Sequence, residues 1–250
     1  MHPTVYVENL TLTRPAETFN ASLCISHFPT FENCEEFGDL FHPEEQAYYQ
    51  TLQFEKRIHS YLIGRLTGKK AIASLMGNEN LAQIIIRPGI FRQPIVTCEN
   101  QQNIQVSISH CDNWGAAIAF PEAHPMGIDI ERINSEQNEA LEREASEFER
   151  RLIQRLPFDY EVMLTLLWTV KEALSKVLKT GLTAPFRIYE IAQIETQSDS
   201  LLSFYKNFAQ YKALSFMLGH YICTIAYPLK TELTVDLHSL KETFRTLVEL

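Results

Sequence analysis

Two nine-residue segments of this 250-residue sequence resemble each other, DNWGAAIAF at positions 112–120 and GHYICTIAY at positions 219–227. Two aromatic positions, an isoleucine and an alanine coincide, a match that chance alone can supply. Each segment follows a long predicted helix and an earlier predicted strand. If the similarity is a repeat, the chain is an α+β protein of two similar halves, 1–130 and 131–250, with a site between them. Each half is then an antiparallel sheet packed with a long helix, in a pseudo-twofold arrangement.

The spacing of apolar residues, together with capping and turn residues, predicts the elements of both halves. Long helices are predicted at 43–76, 135–156 and 159–180, and a short one near 237–247. Strands are predicted at 81–87, 106–110, 116–120, 127–131, 187–194 and 213–227. The apolar stripe of the first helix is predicted from Tyr48, Leu52, Tyr61, Leu62 and Leu66.

Composition limits the classes of function that need consideration. The formal net charge is −9, which argues against broad nucleic-acid binding because that binding requires clustered Lys and Arg. The five cysteines include no C-x-x-C pair, as expected for reduced thiols. The first residues do not show the basic start and following apolar stretch of a signal peptide. The apolar runs are all far shorter than the ~20 residues that a membrane-spanning helix needs. We therefore expect a cytoplasmic protein with no membrane partner.

Acidic residues alternate with isoleucines in the predicted strand 127–131, which reads Gly-Ile-Asp-Ile-Glu. Because side chains alternate along a strand, Asp129 and Glu131 point to the same side of the sheet. Two carboxylates on one side repel each other unless a cation or a basic group joins them. The alternative is an ordinary half-buried strand with a solvated acidic face.

Two further clusters contain residues that are capable of chemistry. In the predicted helix 159–180, Trp168, Glu172 and Lys176 lie four residues apart and share one face. The alternative there is an exposed Glu–Lys pair on the helix surface. The segment Ser-Ile-Ser-His at 107–110 ends a predicted strand, and its histidine is either a ligand contact or a structural residue.

Taken together and in this order, these motifs resemble a known family. Ser-Ile-Ser-His, Gly-Ile-Asp-Ile-Glu and Trp-Thr-Val-Lys-Glu-Ala-Leu-Ser-Lys (168–176) are similar to the signature of the 4'-phosphopantetheinyl transferase superfamily. Tyr-Leu-Ile-Gly-Arg at 61–65 resembles the arginine-bearing helix motif of that family. The resemblance spans about 43–190, and the chain length is similar to the longer, surfactin-synthetase-activating type, which is a monomer of two fused halves.

The resemblance implies a Mg²⁺-dependent enzyme that moves 4'-phosphopantetheine from coenzyme A to a serine of an acyl or peptidyl carrier protein, releasing 3',5'-ADP. It implies that Asp129, Glu131 and Glu172 bind Mg²⁺, which favours carboxylate, water and phosphate oxygens. Lys176 is expected to contact the pyrophosphate and stabilise the charge of the transition state. Glu172, directly or through a metal-bound water, is expected to accept the serine proton.

The same resemblance implies that Arg65, Ser109 and His110 contact coenzyme A. The sequence departs from the family at positions that hold the 3'-phosphate, because Arg92-Gln93-Pro94 replaces Gly-Lys-Pro. Residues that are basic in relatives are replaced here by Glu45, Tyr48 and Ser60. Either affinity for that phosphate is reduced, or one of four cations substitutes: Arg92, Lys56, Arg57 or Lys69.

Two other classes of function remain open from the sequence. A metal-dependent nuclease or phosphatase also uses an Asp-x-Glu pair, a third carboxylate and a lysine, although the acidic composition argues against it. A non-catalytic coenzyme A-binding module is the other alternative, although all three carboxylates are present.

Overall fold

In the computed structural model, which describes residues 3–29, 40–98 and 103–248, the chain divides into two units. The first contains Met1–Pro125 and Glu232–Asp236, and the second contains Met126–Thr231 and Leu237–Leu250. The boundary therefore lies between 125 and 126, not between 130 and 131 as predicted. The strand Gly127–Arg132, which we assigned to the N-terminal half, belongs to the second unit because it pairs with the strand Tyr221–Pro228 there.

The described part of the first unit contains six strands and two helices. Their bounds are β1 Thr4–Thr13, β2 Thr18–His27, α1 Pro43–Tyr49, α2 Glu55–Met76, β3 Ile84–Pro88, β4 Pro94–Cys98, β5 Ile104–Cys111 and β6 Trp114–Pro121. A four-stranded antiparallel sheet has the order β1-β2-β6-β5, and β3 and β4 form a separate hairpin. The long helix α2 packs on β6, β2 and β5.

The predicted helix 43–76 is two helices, α1 and α2. The Thr51 hydroxyl donates to the backbone oxygen of Tyr48 at 2.6 Å, a local bond that competes with continued helix. Phe54 is extended at the start of α2. The predicted apolar stripe is also divided by this break. Leu62 and Leu66 are buried, whereas the three stripe residues nearer the break line a pocket: Tyr48, Leu52 and Tyr61.

The second unit contains five strands and five helices among its described residues. Their bounds are β7 Gly127–Arg132, α3 Asn138–Glu144, α4 Glu147–Ile153, α5 Tyr160–Val177, β8 Ile191–Thr196, β9 Leu201–Tyr205, β10 Tyr211–Leu218, β11 Tyr221–Pro228, α6 Leu237–Thr243 and α7 Arg245–Val248. The antiparallel sheet has the order β7-β11-β10-β9-β8, and the long helix α5 packs on β7, β11 and β10.

The predicted helix 135–156 is also interrupted. It begins as a 3₁₀ turn and becomes α3, which ends at Ala145 in an extended conformation. Ser146 then caps α4 in a capping box with Glu149. The Ser-x-x-Glu spacing that marks this new start is present in the sequence, but the continuous apolar stripe concealed it.

Three predicted strands differ in detail from those observed. The segment predicted as a strand at 81–87 opens with a 3₁₀ turn, Leu81–Gln83, before β3. The strand predicted at 187–194 likewise begins as a 3₁₀ turn, Phe186–Tyr189, before β8. The segment 213–227 is the hairpin of β10 and β11, not one strand.

The predicted fold class is confirmed, because both units use the same order of elements. A strand (β2 or β7) precedes a long helix (α2 or α5), and a hairpin (β5–β6 or β10–β11) follows. In each sheet the last strand of the hairpin pairs with the strand before the helix. The two similar sequence segments are the turns and second strands of these hairpins. None of the helices in the described ranges has the length and apolar character of a membrane span.

Candidate functional site

The acidic strand β7 lies against α5 at Gly127. A Cβ atom at this position would lie 2.1 Å from the backbone oxygen of Ala173 and 2.9 Å from Cγ2 of Val177. Gly127 therefore permits a close approach of helix to strand that no other residue allows. Since Asp129 is two residues further along the strand, it lies on the same side as Gly127, facing α5.

Asp129 and Lys176 form an ion pair at this contact. The Nζ atom of Lys176 donates to Oδ1 of Asp129 at 2.7 Å and to the backbone oxygen of Ile128 at 3.0 Å. The Asp129 side chain is 3% exposed and that of Lys176 is 25% exposed. The alternative of an exposed Glu172–Lys176 surface pair is therefore wrong, because the partner of Lys176 is a buried carboxylate.

Glu172 lies on α5 beside this pair. Burial, and then the negative charge of Asp129, raise the pKa of Glu172, while Lys176 and the Ser175 hydroxyl oppose the shift. The Ser175 hydroxyl donates mainly to the backbone oxygen of Glu172, at 2.8 Å. Burial first, and then the charge of Asp129, thus disfavour ionisation of Glu172.

This set of donors fits a Mg²⁺ ion that also binds a phosphorylated substrate. Such ions are usually held by one or two carboxylates together with substrate phosphates, not by an all-protein cage. Asp129 and Glu172 supply two carboxylates, and Glu131 follows Asp129 on the same side of β7. Across the ranges that the structure describes, no three His, Cys, Asp or Glu side chains form a ready-made metal group. Asp129 and Glu172 therefore fit such an ion, and Glu131 is partly buried on the same strand.

Trp168, the third member of the predicted helix face, has a packing role. Its ring stacks on Phe186 with centroids 4.7 Å apart and planes 14° apart. Trp168 is partly buried against the core of the second unit. Trp168 is therefore the packing residue of the motif. Glu172 and Lys176, one and two helical turns further along, are its candidate functional residues.

A pocket of about 660 Å³ lies in the first unit, between the start of α2 and the β3–β4 hairpin. Its size suits a small-molecule ligand. Aromatic and basic side chains dominate its walls, and Arg65 lies over the ring of Tyr61 at 4.7 Å. The residues that line the pocket include Tyr48, Phe54, Lys56, Arg57, Ser60, Tyr61, Arg65, Arg87, Arg92 and His110.

The cations of this pocket differ in their partners. Arg87 makes a bidentate ion pair with Glu44, and its hydrogen bonds lower the pKa of that carboxyl. Within the residues that the structure describes, Lys56, Arg57 and Arg92 form no ion pair with a carboxylate. The charges of these three cations are therefore not compensated by a described carboxylate, and they can bind an anionic ligand.

Arg92 adopts a backbone conformation that is unfavourable for its residue type. Its φ is +63°, in the left-handed region that glycine prefers, at the turn of the β3–β4 hairpin. The turn is closed by a bond from the Gly89 amide to the Gln93 oxygen at 2.7 Å. Of the described non-glycine residues with positive φ, Arg92 is the one that lines the pocket.

The predicted coenzyme A contacts are only partly brought together. Arg65, Arg92 and His110 line the pocket, whereas Ser109 is buried and alternates with His110 to the other face of β5. Lys176 belongs to the second unit.

Two of the residues that we expected at the 3'-phosphate position are absent from the pocket lining. Glu45 and Lys69 are buried and form an ion pair with each other. Lys69 is therefore excluded as a replacement cation. Tyr48 and Ser60 do line the pocket, as do the candidate replacements Lys56, Arg57 and Arg92.

Sequence reasoning missed the aromatic walls of the pocket and the role of Gly127. Phe54, 74% exposed, gave no periodic signal because it stands between two helices. Tyr61 was interpreted as part of an apolar stripe. The role of Gly127 could have been predicted, because a glycine within an apolar strand often marks the close approach of another backbone.

Comparison with known proteins identifies the segment that carries the carboxylates. Residues 125–226 match the model of the 4'-phosphopantetheinyl transferase superfamily. A curated relative, 4'-phosphopantetheinyl transferase gsp of Aneurinibacillus migulanus, is 28% identical over 158 residues. This alignment covers 62% of the present chain and 62% of the relative, so the chain matches less than two thirds of the relative's length.

Solved structures give weaker similarities. A holo-ACP-synthase from Plasmodium yoelii is 22% identical with a TM-score of 0.33, covering 36% of this chain and 79% of that one. An ACPS–CoA complex of Chronobacterium ammoniagenes is 19% identical with a TM-score of 0.30, covering 48% and 96%. The matched segment contains β7, α5 and the Asp129–Lys176 pair. The resemblance found in the motifs is thus supported over residues 125–226, which match the 4'-phosphopantetheinyl transferase superfamily model.

Proposed function

We propose that this protein transfers 4'-phosphopantetheine from coenzyme A to a serine hydroxyl of an apo acyl or peptidyl carrier protein. The reaction is Mg²⁺-dependent and releases 3',5'-ADP. The observation that carries this proposal is the cluster of Asp129, Glu172 and Lys176, formed by β7 and α5 within the family segment. We retain the sequence-based expectations of a monomeric, cytoplasmic enzyme without a nucleic-acid partner.

The chemistry requires that charge on the pyrophosphate of coenzyme A be neutralised. A Mg²⁺ ion held by Asp129 and Glu172, with Glu131 beside them, would polarise the phosphoryl oxygens. Lys176 adds a fixed positive charge, since its ammonium is held by Asp129 and the Ile128 carbonyl. A charge that is already oriented stabilises a transition state without further reorganisation.

The carrier serine must lose its proton as its oxygen attacks the β-phosphorus of coenzyme A. Glu172, directly or through a metal-bound water, is the candidate acceptor, because it is the carboxylate beside the Asp129–Lys176 pair and a general base must lie within hydrogen-bond reach of the hydroxyl. The bond between the β-phosphorus and the bridging oxygen then breaks, and 3',5'-ADP leaves with that oxygen.

The pocket of the first unit supplies the chemistry for the 3'-phosphoadenosine end of coenzyme A. Aromatic walls suit an adenine ring, and Lys56, Arg57 and Arg92 suit a phosphate. The cations that family relatives place elsewhere are thus replaced by three that lie at the helix start and the hairpin turn.

A single experiment tests the function. The protein is incubated with coenzyme A, Mg²⁺ and an apo carrier protein, and the carrier is weighed by mass spectrometry. We expect the mass to increase by one phosphopantetheine group, EDTA to prevent the increase and added Mg²⁺ to restore it. Coenzyme A binding without a mass change would favour a binding module, and hydrolysis of nucleic acid or phosphate esters would favour a nuclease or phosphatase.

Replacement of Lys176 by alanine is expected to lower kcat by roughly 10²–10³-fold, the loss of one preorganised electrostatic contact. It is also expected to lower the melting temperature, because Asp129 would remain buried without this ammonium. Steady-state kinetics and thermal unfolding measure the two effects. The matched control is Lys241→Ala, which removes an exposed pair with Asp199 and should change neither quantity. A Lys176→Ala protein with normal kcat would contradict the assigned role.

Replacement of Arg92 by glycine is expected to raise KM for coenzyme A by about 10-fold or more, the loss of a charged hydrogen bond. KM for 3'-dephospho-coenzyme A should change little. Because the position has positive φ, glycine removes the side chain and relieves the backbone, so the fold should be retained. The control is Asn103→Gly, another positive-φ residue in the same unit, for which KM should be unchanged. Equal increases for both substrates would remove Arg92 from the 3'-phosphate position.

A further inference from the structure

Among the residues that the structure describes, each unit contains one buried lysine–glutamate pair, and neither pair is part of the chemistry described above. In the second unit, Nζ of Lys171 on α5 donates to Oε2 of Glu149 at 2.8 Å and to the backbone oxygen of Glu144 at 2.8 Å. The two side chains are 1% and 0% exposed. Lys171 lies within the family motif, directly before Glu172.

Glu149 connects this lysine to two other elements. Its Oε2 accepts from the Ser146 amide at 2.7 Å, which closes the capping box of α4. Its Oε1 accepts from the amide of Ile191, the first residue of β8, at 2.9 Å. One carboxylate thus ties α4, α5 and β8 together through three directed bonds.

The first unit repeats this arrangement with different residues. Lys69 on α2 pairs with Oε2 of Glu45, and the two side chains are 0% and 4% exposed. Glu45 closes the capping box of α1 with His42, and its Oε1 accepts from the Ile86 amide of β3 at 3.0 Å. In both units, a glutamate in the short preceding helix binds the lysine of the long helix and an amide of the next strand.

Stability alone does not account for two such pairs. Desolvation of a buried ion pair costs about as much as the attraction returns, so apolar residues of similar volume are often equally stable. What a buried pair with several directed bonds provides is a defined geometry. The long helix cannot rotate or slide without breaking the bonds of its lysine.

We propose that these two clamps, Lys171–Glu149 and Lys69–Glu45, position the functional groups of their own helices. The first sets the rotation of α5 and thereby presents Glu172 and Lys176 to the reacting phosphate. The second sets α2, on which Arg65 lies one turn before Lys69, with its Nε 3.5 Å from Oε1 of Glu45. The clamps act through these residues and touch no substrate. This inference rests on the proposed transfer reaction.

The test compares two double variants, Glu149→Gln with Lys171→Met, and Glu45→Gln with Lys69→Met. Each removes both charges of its pair, so neither member of the pair remains as an isolated buried ion. In the second double variant, Arg65, which is 17% exposed, also loses its contact with Glu45. The first double variant should lower kcat about 10- to 100-fold, as expected for misplaced catalytic groups, with KM for coenzyme A retained. The second should raise KM for coenzyme A by about 10-fold with kcat retained, because only the pocket arginine is displaced.

The folded fraction is determined independently of activity. Calorimetric titration with coenzyme A gives the number of binding-competent sites, and kcat is expressed per competent site. As a second variant, Lys171→Arg keeps the charge and should retain more of kcat than Lys171→Met. A similar loss in the same kinetic parameter for both double variants, or a change in melting temperature alone, would overturn the positioning role. A wild-type protein that transfers nothing to any carrier would instead contradict the proposed function, and the affinity measurement for the first unit would still be interpretable.

Discussion

Replacement of Glu172 by glutamine is expected to stop phosphopantetheine transfer and, without divalent cations, to raise the melting temperature. Loss of a ligand and proton acceptor should reduce kcat by roughly 10³-fold or more. The stability effect follows from the pKa of Glu172, which is raised in the folded state by burial and by Asp129. When the pKa of a carboxyl is higher in the folded than in the unfolded state, the protein loses stability as pH increases from the unfolded pKa through the folded pKa. At neutral pH, which lies above the unfolded pKa, the Glu172 carboxyl therefore costs stability, and glutamine removes this cost.

Mg²⁺ together with coenzyme A should reverse the order of stability. A bound cation favours the ionised carboxylate, so the wild type should gain melting temperature with Mg²⁺ and coenzyme A, whereas Glu172→Gln should gain less. The control is Glu161→Gln, in the first turn of the same helix, which should leave transfer unchanged. Full transfer by Glu172→Gln, or a melting temperature below that of the wild type without cations, would contradict the assigned environment of this residue.

Replacement of Gly127 by alanine is expected to destabilise the protein by about 3 kcal/mol or more and to lower the melting temperature by about 10 °C. The added Cβ would meet the backbone oxygen of Ala173 at 2.1 Å and the backbone nitrogen of Val177 at 3.1 Å. Backbone atoms cannot rotate away, so α5 must move from β7. Transfer should fall as well, because Asp129 is on β7 and Lys176 is on α5.

Gly68→Ala is the matched control for this substitution. Its Cβ would also be crowded, at 2.6 Å from Cδ1 of Ile108, but that atom ends a side chain that can change rotamer. The gain of about 1 kcal/mol in helix propensity should offset part of the cost. Thermal unfolding and transfer assays distinguish the two variants. Equal, small effects at both positions would show that the approach of β7 to α5 is not tight.

Local patterns in the sequence were sufficient for the elements that bury a continuous apolar face. Helix 159–180 was predicted close to its observed bounds of 160–177, because its apolar positions recur at helical spacing without a competing cap. The helices predicted at 43–76 and 135–156 were each too long. Thr51 and Ser146 bond to nearby backbone atoms and end one helix or begin another. Periodicity does not register such bonds.

The identity of the candidate catalytic groups was determined by the sequence, because Asp129, Glu131, Glu172 and Lys176 stand in motifs whose order and spacing are specific. Their partners were decided by the tertiary structure. A helix face at four-residue spacing predicts a Glu172–Lys176 pair, but the strand packed at Gly127 offers Lys176 a buried carboxylate instead. In the same way, Glu45 and Lys69 were predicted to lie at the 3'-phosphate position, but they form an ion pair with each other in the interior. Neighbouring residues in the sequence determine where a helix or a strand forms. Ion pairing instead depends on which side chains, distant in the sequence, are buried next to each other, and only tertiary packing decides that.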